Sequence, residues 1–193
     1  AGSALDAEAL EIKGSTTVRP IAEKVAEAYM QENRGVAINI EGGGSGNGIK
    51  AIIDGTTDIG NASRFIKDKE LTYAYGREVY PIPFRVAYDC IVPVVHPSNR
   101  TKDLSLDQIR DIYTGKIRNW KELGGLDNPI KVISRDEASG TYEVWEKKVM
   151  DGQNIFPGAQ PEESNTTVVK AVSADSYAIG YIGLGYLQQS VKQ

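Results

Sequence analysis

The amino-acid sequence predicts an α/β fold made of two small units. Along the chain, apolar residues switch between a spacing of two, typical of strands, and a spacing of three to four, typical of amphipathic helices. Short segments rich in glycine and hydroxyl residues separate many of these stretches. The chain has 193 residues, of which 40% are hydrophobic, and this suits a packed core in one domain or two small ones.

The first part of the chain is expected to contain three strands and two helices. Strands are predicted at residues 10–13, at residues 36–40 and from residue 58 onward. The first helix is expected to start near Pro20, because a proline in the first helical turn loses no hydrogen bond. The second helix follows the glycine-rich residues 42–48 and carries Ile49, Ile52 and Ile53. The predicted apolar face of the first helix consists of Val18, Ile21, Ala22, Val25 and Tyr29.

A boundary between the two units is predicted near the middle of the chain. The apolar residues 86–95 follow Pro81 and Pro83, and this composition favours a strand that leads from one unit into the other. We therefore expect a first lobe at residues 1–86 and a second lobe at residues 87–193. Residues 86–89 are the expected hinge.

The second lobe is predicted to alternate helices and strands in the same way. Ser105 has the spacing of a capping box with Gln108, so a helix is expected to begin there. Strands are expected at residues 129–134 and 178–181. Further helices are expected after residues 139–141, from Asn165 or Thr166, and after a turn at 183–187. The side chains expected to face inward are Ile109, Ile112, Tyr113, Tyr142, Trp145, Val149, Val168, Val169 and Val172.

Composition excludes several function classes. The 22 Lys and Arg residues against 26 Asp and Glu give a formal charge of −4, so no overall basic field exists to recruit nucleic acid or an anionic membrane. Cys90 and His96 are each the single residue of their type, so neither an internal disulfide nor a structural zinc site is expected, and no cofactor is predicted. His96 is expected where a strand meets a loop. No segment has the roughly 20 apolar residues of a membrane span.

The amino terminus is expected to be a mature or trimmed end. Residues 1–4 carry neither the positive charge nor the apolar run of a signal peptide. Cys90 lies in the middle of the chain, so it is not the lipid-bearing N-terminal cysteine of a lipoprotein.

Four junctions between predicted elements share one chemistry, because each places small hydroxyl residues beside glycine. The first turn of a helix has unpaired N–H groups and a partial positive charge, and glycine lets a ligand approach the backbone. Several such junctions that converge would hold an oxyanion with few formal charges. The junctions are residues 14–17, 44–46, 60–63 and 139–141.

Each junction also has a simpler interpretation. A Ser or Thr before a helix is often only its N-cap, and a Gly/Ser run alone is typical of a flexible linker. The glycine spacing matches neither a dinucleotide-binding nor a Walker phosphate loop, so a nucleotide site is not expected.

Arg135 adds a positive charge to one of these junctions. It lies at the end of a predicted strand, four residues before Ser139, where a guanidinium would bind an anion at two points. Glu137 is near enough in sequence to orient it. The alternative is a surface ion pair of Arg135 with Asp136 or Glu137.

Six motifs together resemble the substrate-binding proteins of bacterial phosphate ABC transporters, over residues 12–187. The resemblance implies a type II periplasmic-binding-protein fold, with two α/β lobes joined by a hinge and a tetrahedral anion held between them. It also implies a monomer, exported to the periplasm or the cell surface, that delivers phosphate to a membrane permease. The motifs are Gly-Ser-Thr-Thr-Val-Arg-Pro at 14–20, Gly-Gly-Gly-Ser-Gly-Asn-Gly-Ile at 42–49, Asp-Ile-Gly-Asn-Ala-Ser-Arg at 58–64, Tyr-Thr-Gly-Lys-Ile-Arg-Asn-Trp at 113–120, Ser-Arg-Asp-Glu-Ala-Ser-Gly-Thr at 134–141 and Ala-Ile-Gly-Tyr at 178–181.

The same resemblance implies a set of ligand-binding residues. Arg64 and Glu137 are expected beside that set, as supporting residues. In well-known family members an aspartate stands at the position of Ser63 and accepts a proton from phosphate. A binder or sensor of sulfate, molybdate or another tetrahedral oxyanion is therefore an open alternative here. The expected ligand-binding residues are Ser15, Thr16, Thr17, Ser45, Ser63, Arg135, Ser139, Gly140 and Thr141.

The sequence also gives an expectation about the length of the chain and an alternative function. Family members usually continue beyond the last motif, so we expect a short or truncated member whose first lobe lacks edge structure. A serine-dependent hydrolase is the alternative from another class, with a junction serine as nucleophile. The sequence lacks the Gly-x-Ser-x-Gly elbow, and His96 is its one candidate imidazole base, so a binding protein without catalytic activity is the expected function.

Overall fold

The computed structural model describes residues 9–193, and the predicted mature or trimmed terminus at residues 1–4 lies outside them. The chain divides into two compact units between Phe84 and Arg85. The lobe assignment at residues 1–86 and 87–193 stays a prediction. Both units combine helices with strands, so the predicted α/β class is confirmed.

The first unit alternates strands and helices along the chain. Its three strands are parallel in the order β2-β1-β3. The elements are β1 (Leu10–Gly14), α1 (Arg19–Glu32), β2 (Ile38–Glu41), α2 (Ser45–Asp54), β3 (Ile59–Asn61) and α3 (Asp68–Gly76).

Close packing of backbone on backbone places α2 against this sheet. Gly14 ends β1 at φ +133°, where a Cβ atom would lie 2.1 Å from the carbonyl oxygen of Asn61. A Cβ on Gly48 would lie 2.7 Å from the carbonyl oxygens of both Lys13 and Asn61. Only glycine fits at these two positions. The start of α2 therefore lies at the carboxyl edge of the sheet.

The apolar face predicted for α1 was expected to be buried, and this prediction is wrong. Ile21, Val25 and Tyr29 are 43%, 63% and 51% exposed, and Ala26 is the one buried residue of the helix. The spacing predicted the helix correctly, but a sheet of three short strands is too narrow to cover its whole apolar stripe. The core of this unit lies instead between α2 and α3, around Ile49, Ile53 and Ala74.

Helix α3 was missed by the sequence analysis, and the strand predicted at residues 86–95 is too long. The N-cap of α3 is Lys67, which lacks the usual capping side chain, and Tyr73 and Tyr75 of the helix are exposed. Regular strand structure begins only at Ile91, because no neighbouring strand within the described residues pairs with residues 86–89. The strand at the expected hinge is therefore wrong.

The second unit contains a four-stranded sheet in the order β4-β7-β5-β6. Strand β4 is antiparallel to β7 at the sheet edge, where Pro93 is tolerated, and the other pairs are parallel. The elements are β4 (Ile91–Val95), α4 (Leu106–Tyr113), β5 (Lys131–Arg135), α5 (Gly140–Trp145), β6 (Gln160–Glu162), α6 (Asn165–Ala174) and β7 (Ala178–Gly183), with a π-helical segment at Glu146–Met150 and 3-10 turns at Trp120–Leu123 and Leu184–Tyr186.

Local capping signals predicted α4 and α6, but the helix predicted after residues 183–187 is wrong, because only the 3-10 turn at Leu184–Tyr186 forms there. Ser105 Oγ accepts the N–H of Gln108 at 3.2 Å and Gln108 Oε1 accepts the N–H of Ser105 at 2.8 Å, so the predicted capping box is confirmed. The N-cap of α6 is Ser164, and not Asn165 or Thr166 as predicted. Ser164 Oγ accepts the N–H of Thr167 at 3.1 Å.

Two apolar clusters pack on the two faces of this sheet. One surrounds Trp120 and Trp145, and the other surrounds Val94 and Ile133. Tyr142 is only partly buried, because it lies in the first turn of α5 near the end of β5. The predicted inward-facing residues that are buried are Ile109, Ile112, Tyr113, Trp145, Val149, Val168, Val169 and Val172.

Candidate functional site

The first donor cluster lies at the carboxyl edge of the three-stranded sheet and comprises Ser15, Thr16, Thr17, Ser45 and Ser63. Ser15, Thr16 and Ser45 are buried. The loops that carry them contact one another, since the N–H of Gly44 donates to the carbonyl oxygen of Gly14 at 3.0 Å. The structure therefore brings the first three predicted junctions together within this unit.

Ser45 and Ser63 form a hydroxyl pair in this cluster. Ser45 begins α2, and its Oγ accepts the N–H of Ser63 at 3.0 Å. The two hydroxyl oxygens are 3.2 Å apart. A serine hydroxyl both donates and accepts hydrogen bonds, so this pair is able to meet either an anionic oxygen or a hydroxyl of a protonated anion.

Ser15 precedes the turn that leads into α1. Its Oγ accepts the N–H groups of Thr17 and Val18 at 3.2 Å and 3.3 Å. The N-cap of α1 is Val18, so the N-cap interpretation of Ser15 is wrong, and its hydroxyl instead holds the turn before the helix. An oxygen that accepts N–H bonds keeps its own hydrogen as a donor.

Arg64 is held by a carboxylate that the sequence analysis did not identify. Its Nη1 and Nη2 each donate to Glu70 at 2.8 Å, and Nη1 also donates to the carbonyl oxygen of Phe65 at 2.9 Å. Burial raises the pKa of the Glu70 carboxyl, but hydrogen bonds from Arg64 and from the Lys67 N–H outweigh it, and the pKa lies below its ordinary value. Arg64 is therefore a fixed cation next to Ser63.

The second donor cluster lies at the carboxyl end of β5 and comprises Arg135, Ser139, Gly140 and Thr141, all of them buried. Ser139 is the N-cap of α5, and its Oγ accepts the N–H of Tyr142 at 3.2 Å. This cap leaves the hydroxyl hydrogen of Ser139 as a donor.

Arg135 is held by main-chain groups and one tyrosine. Its Nε donates to the carbonyl oxygen of Glu162 at 3.0 Å and its Nη2 to that of Glu163 at 2.9 Å. Its own N–H donates to the hydroxyl of Tyr181 at 3.2 Å. These partners lie 27, 28 and 46 residues from Arg135 in the sequence, so no local sequence pattern predicts the contacts.

The interpretation of Arg135 as a surface ion-pair residue is wrong, since it is 2% exposed. Burial lowers the pKa of its guanidinium, and the nearby Asp136 carboxylate raises it again. An arginine starts so far above neutral pH that it stays charged there. The orienting contacts described for it go to Glu162 and Glu163, whereas Glu137 is exposed and its supporting role stays a prediction.

His96 has a local structural role, at the position predicted for it. It follows β4, and its Nδ1 accepts the N–H of Ser98 at 3.1 Å and lies 2.7 Å from the Ser98 hydroxyl. Across residues 9–193, His, Cys, Asp and Glu side chains form no group of three able to hold a metal ion. In the same range, no helix has the length and apolar character needed to cross a membrane.

Comparisons with known proteins give the family. The model described as the PBP superfamily domain matches residues 1–192. The phosphate-binding protein PstS of Bacillus subtilis (strain 168) is 37% identical over 179 residues, which cover 92% of this chain and 58% of that protein. PstS of Staphylococcus aureus (strain USA300) is 31% identical over 180 residues, with 92% and 54% covered. The chain thus spans somewhat more than half the length of these relatives.

Solved structures agree with these relatives. A Clostridium perfringens protein, assigned as a phosphate ABC transporter substrate-binding protein and crystallised with bound phosphate, is 39% identical with a TM-score of 0.87, over 96% of this chain and 74% of that one. An ABC-type phosphate transport receptor from Vibrio cholerae is 31% identical with a TM-score of 0.67, over 95% and 74%. The chain therefore has the predicted type II fold and belongs to the PBP superfamily, in the family that includes these phosphate ABC transporter substrate-binding proteins.

Proposed function

We propose that this chain binds inorganic phosphate through its two donor clusters and serves as the substrate-binding component of an ABC transporter. The main support for the proposal is the position of Arg135. Its guanidinium is buried and is held by main-chain carbonyl oxygens, and the residue lies at the start of the turn that contains Ser139 and Thr141. The bound phosphate in the Clostridium perfringens relative supports it.

The site residues of this proposal are those expected from the sequence. Arg64 and Glu137 remain proposed as supporting residues beside them, and residues 1–86 and 87–193 as the two lobes. The proposed phosphate ligands are Ser15, Thr16, Thr17, Ser45, Ser63, Arg135, Ser139, Gly140 and Thr141.

Hydrogen-bond energetics make such a site sufficient without a basic surface. A hydrogen bond to a charged group contributes about 1.5–3 kcal/mol net, and micromolar affinity needs about 8 kcal/mol. A handful of donors therefore supplies the binding energy. The formal charge of −4 fits a protein that relies on aimed donors and one guanidinium rather than on a general attraction for anions.

The proposed function is binding without catalysis, as opposed to the alternative of a hydrolase. A nucleophilic serine needs a base within hydrogen-bond reach. The Ser139 oxygen caps α5, while His96 Nδ1 accepts the N–H of a residue in its own turn. The relatives are named as binding proteins, which also supports binding without chemistry. A chromogenic phosphate ester should show no turnover above that of Ser139→Ala and His96→Ala variants.

The cellular context is part of the same proposal. The names of the relatives support delivery of phosphate to a membrane permease. We propose that the protein acts as a monomer on the outer side of the membrane, in the periplasm or at the cell surface. Co-purification with the permease and fractionation of the native protein test these two statements.

The identity of the anion is the point that an experiment must decide. The Ser45–Ser63 pair offers hydroxyl groups where well-known family members have a carboxylate, which favours sulfate or molybdate as second candidates. Isothermal titration of ligand-stripped protein with phosphate, sulfate and molybdate separates them. Phosphate is expected to bind with a Kd in the micromolar range or below. Absence of heat with all three anions would refute anion binding altogether.

A further inference from the structure

We propose that Tyr181 is the positioning residue of the phosphate site, acting through the main chain of Arg135. The inference rests on the proposed function and deepens it, because it names the side chain that fixes the principal cation. Tyr181 lies on β7, and in the sequence it is the last residue of the Ala-Ile-Gly-Tyr motif at 178–181.

The sheet leaves a gap at Arg135 that Tyr181 closes. Strands β5 and β7 pair only as far as Val132 and Ile179. Along its opposite edge, β5 pairs with β6 as far as Arg135. The N–H of Arg135 therefore lies beyond the ladder with β7, and the Tyr181 hydroxyl accepts it at 3.2 Å.

The Tyr181 hydroxyl is itself held in place. It lies 3.1 Å from Ser134 Oγ, so it contacts two successive residues of β5. Its ring stacks on Trp145 with centroids 4.1 Å apart and planes 6° apart, and it packs against Tyr113 at 5.7 Å. Burial raises the pKa of Tyr181 to about 12, so the hydroxyl stays neutral. A rigid aromatic stack thus supports the hydroxyl.

The hydrogen bond from the Arg135 N–H to Tyr181 is also the one that a side-chain substitution can remove. Two of the hydrogen bonds described for Arg135 go to main-chain carbonyl oxygens, at Glu162 and Glu163, which every residue type provides. The bond from the Arg135 N–H depends instead on a side-chain hydroxyl, that of Tyr181. Loss of that hydroxyl leaves a buried N–H unsatisfied at the residue that carries the guanidinium, and the main chain there must shift.

The chain offers a matched control in Tyr113. It is fully buried in the same aromatic cluster, and its hydroxyl donates to the carbonyl oxygen of Ile133 at 3.1 Å. Its hydroxyl thus bonds to the middle of β5, at Ile133, and not to Arg135 itself. Tyr113→Phe and Tyr181→Phe remove the same group from the same core, and both are expected to lower the Tm.

Isothermal titration with inorganic phosphate tests the inference. Tyr181→Phe should weaken binding about tenfold, as expected for one unsatisfied buried N–H, and Tyr113→Phe should stay within about twofold of the wild type. In an Arg135→Lys background, Tyr181→Phe should cause no further loss, since the positioned guanidinium is gone. A purely structural role would give an additional loss there and an equal loss in Tyr113→Phe, and either result would overturn the inference.

The outcomes separate the two proposals. If the wild type fails to bind phosphate, the proposed function fails; if the wild type binds and Tyr181→Phe binds equally well, only the positioning role fails. Ser134→Ala serves if Tyr181→Phe does not fold, because it removes the other partner of the hydroxyl. It should weaken phosphate binding about threefold, and unchanged binding counts against the inference.

Discussion

Both terminal nitrogens of Arg64 lie 2.8 Å from the carboxylate of Glu70, and the two side chains are only 7% and 20% exposed. Glu70 also accepts the N–H of Lys67 at 2.8 Å, so one carboxylate fixes both the arginine after Ser63 and the start of α3. A two-point, partly buried pair of this kind is stronger than a surface ion pair. Glu70 therefore links the loop after β3, which carries Arg64, to the start of α3.

Replacement of Glu70 by glutamine should reduce stability in a pH-dependent way. The folded-state pKa of Glu70 is lowered, so its contribution is present above the ordinary value of 4.5 and is lost as pH falls through the folded-state pKa. At pH 7 we expect Glu70→Gln to lower the free energy of unfolding by about 2 kcal/mol. Thermal melts from pH 7 to pH 3 measure the difference.

Glu27→Gln is the control for this prediction, because Glu27 pairs with Lys24 on the exposed face of α1. It should leave the Tm unchanged at every pH. The gap between wild type and Glu70→Gln should narrow as the solution becomes more acidic. A gap that stays constant down to pH 3 would contradict the assigned pKa shift.

Local signals in the sequence predicted those helices and strands whose position depends on a few neighbouring residues. The capping box at Ser105 predicted the start of α4, and the alternating β-branched residues Val36, Ile38 and Ile40 predicted β2. Burial of α1 was wrong, because the spacing of Ile21 and Val25 shows which residues share a helix face but not whether anything covers that face.

The candidate site was predictable to the same limited extent. The glycine-hydroxyl junctions predicted that Ser45 and Ser63 meet, because both follow parallel strands at one edge. The supporting contacts were not predictable. Tyr181 bonds to Arg135 across 46 residues, and Glu70 lies in a helix that has no recognisable N-cap residue.

Arg135→Ala should nearly abolish phosphate binding. The substitution removes a buried charge and its fork of donors together, so we expect a loss of at least about 100-fold in affinity by titration calorimetry. Arg135→Lys keeps the charge without the fork and should give an intermediate affinity. Arg110→Ala is the control, since Arg110 Nε also donates to a carbonyl oxygen, that of Val149 at 2.7 Å, outside both clusters. An equal loss in Arg110→Ala would indicate a general defect in folding.

Ser63→Asp should sharpen the choice between phosphate and sulfate. Phosphate at pH 7 still carries a proton that a carboxylate accepts, whereas sulfate carries none and is repelled. The new carboxylate would lie beside Ser45 Oγ, which already accepts the N–H of Ser63. We expect the ratio of phosphate to sulfate affinity to rise about tenfold, in line with one charged hydrogen bond gained against one like-charge repulsion.

Ser63→Asn is the control for this prediction, because asparagine has nearly the shape of aspartate but no negative charge. Competition titrations at pH 7 give both affinities for each variant. Ser63→Asn should leave the ratio close to that of the wild type. If the asparagine variant shifts the ratio as far as the aspartate variant does, charge is not what selects the anion at this position.

Gly48→Ala should disturb both stability and ligand binding, because at Gly48 the backbone of α2 packs directly on the backbone of the sheet. The added Cβ would lie 2.7 Å from the carbonyl oxygens of Lys13 and Asn61, which belong to β1 and β3 and cannot yield as a side chain would. We expect a loss of about 1–3 kcal/mol in urea unfolding, as for other overpacked sites. Gly76→Ala is the control, since a Cβ there meets open space within α3. Because Ser45 lies one helical turn before Gly48, the same variant should also bind phosphate more weakly, and full affinity would show that the start of α2 does not set the site.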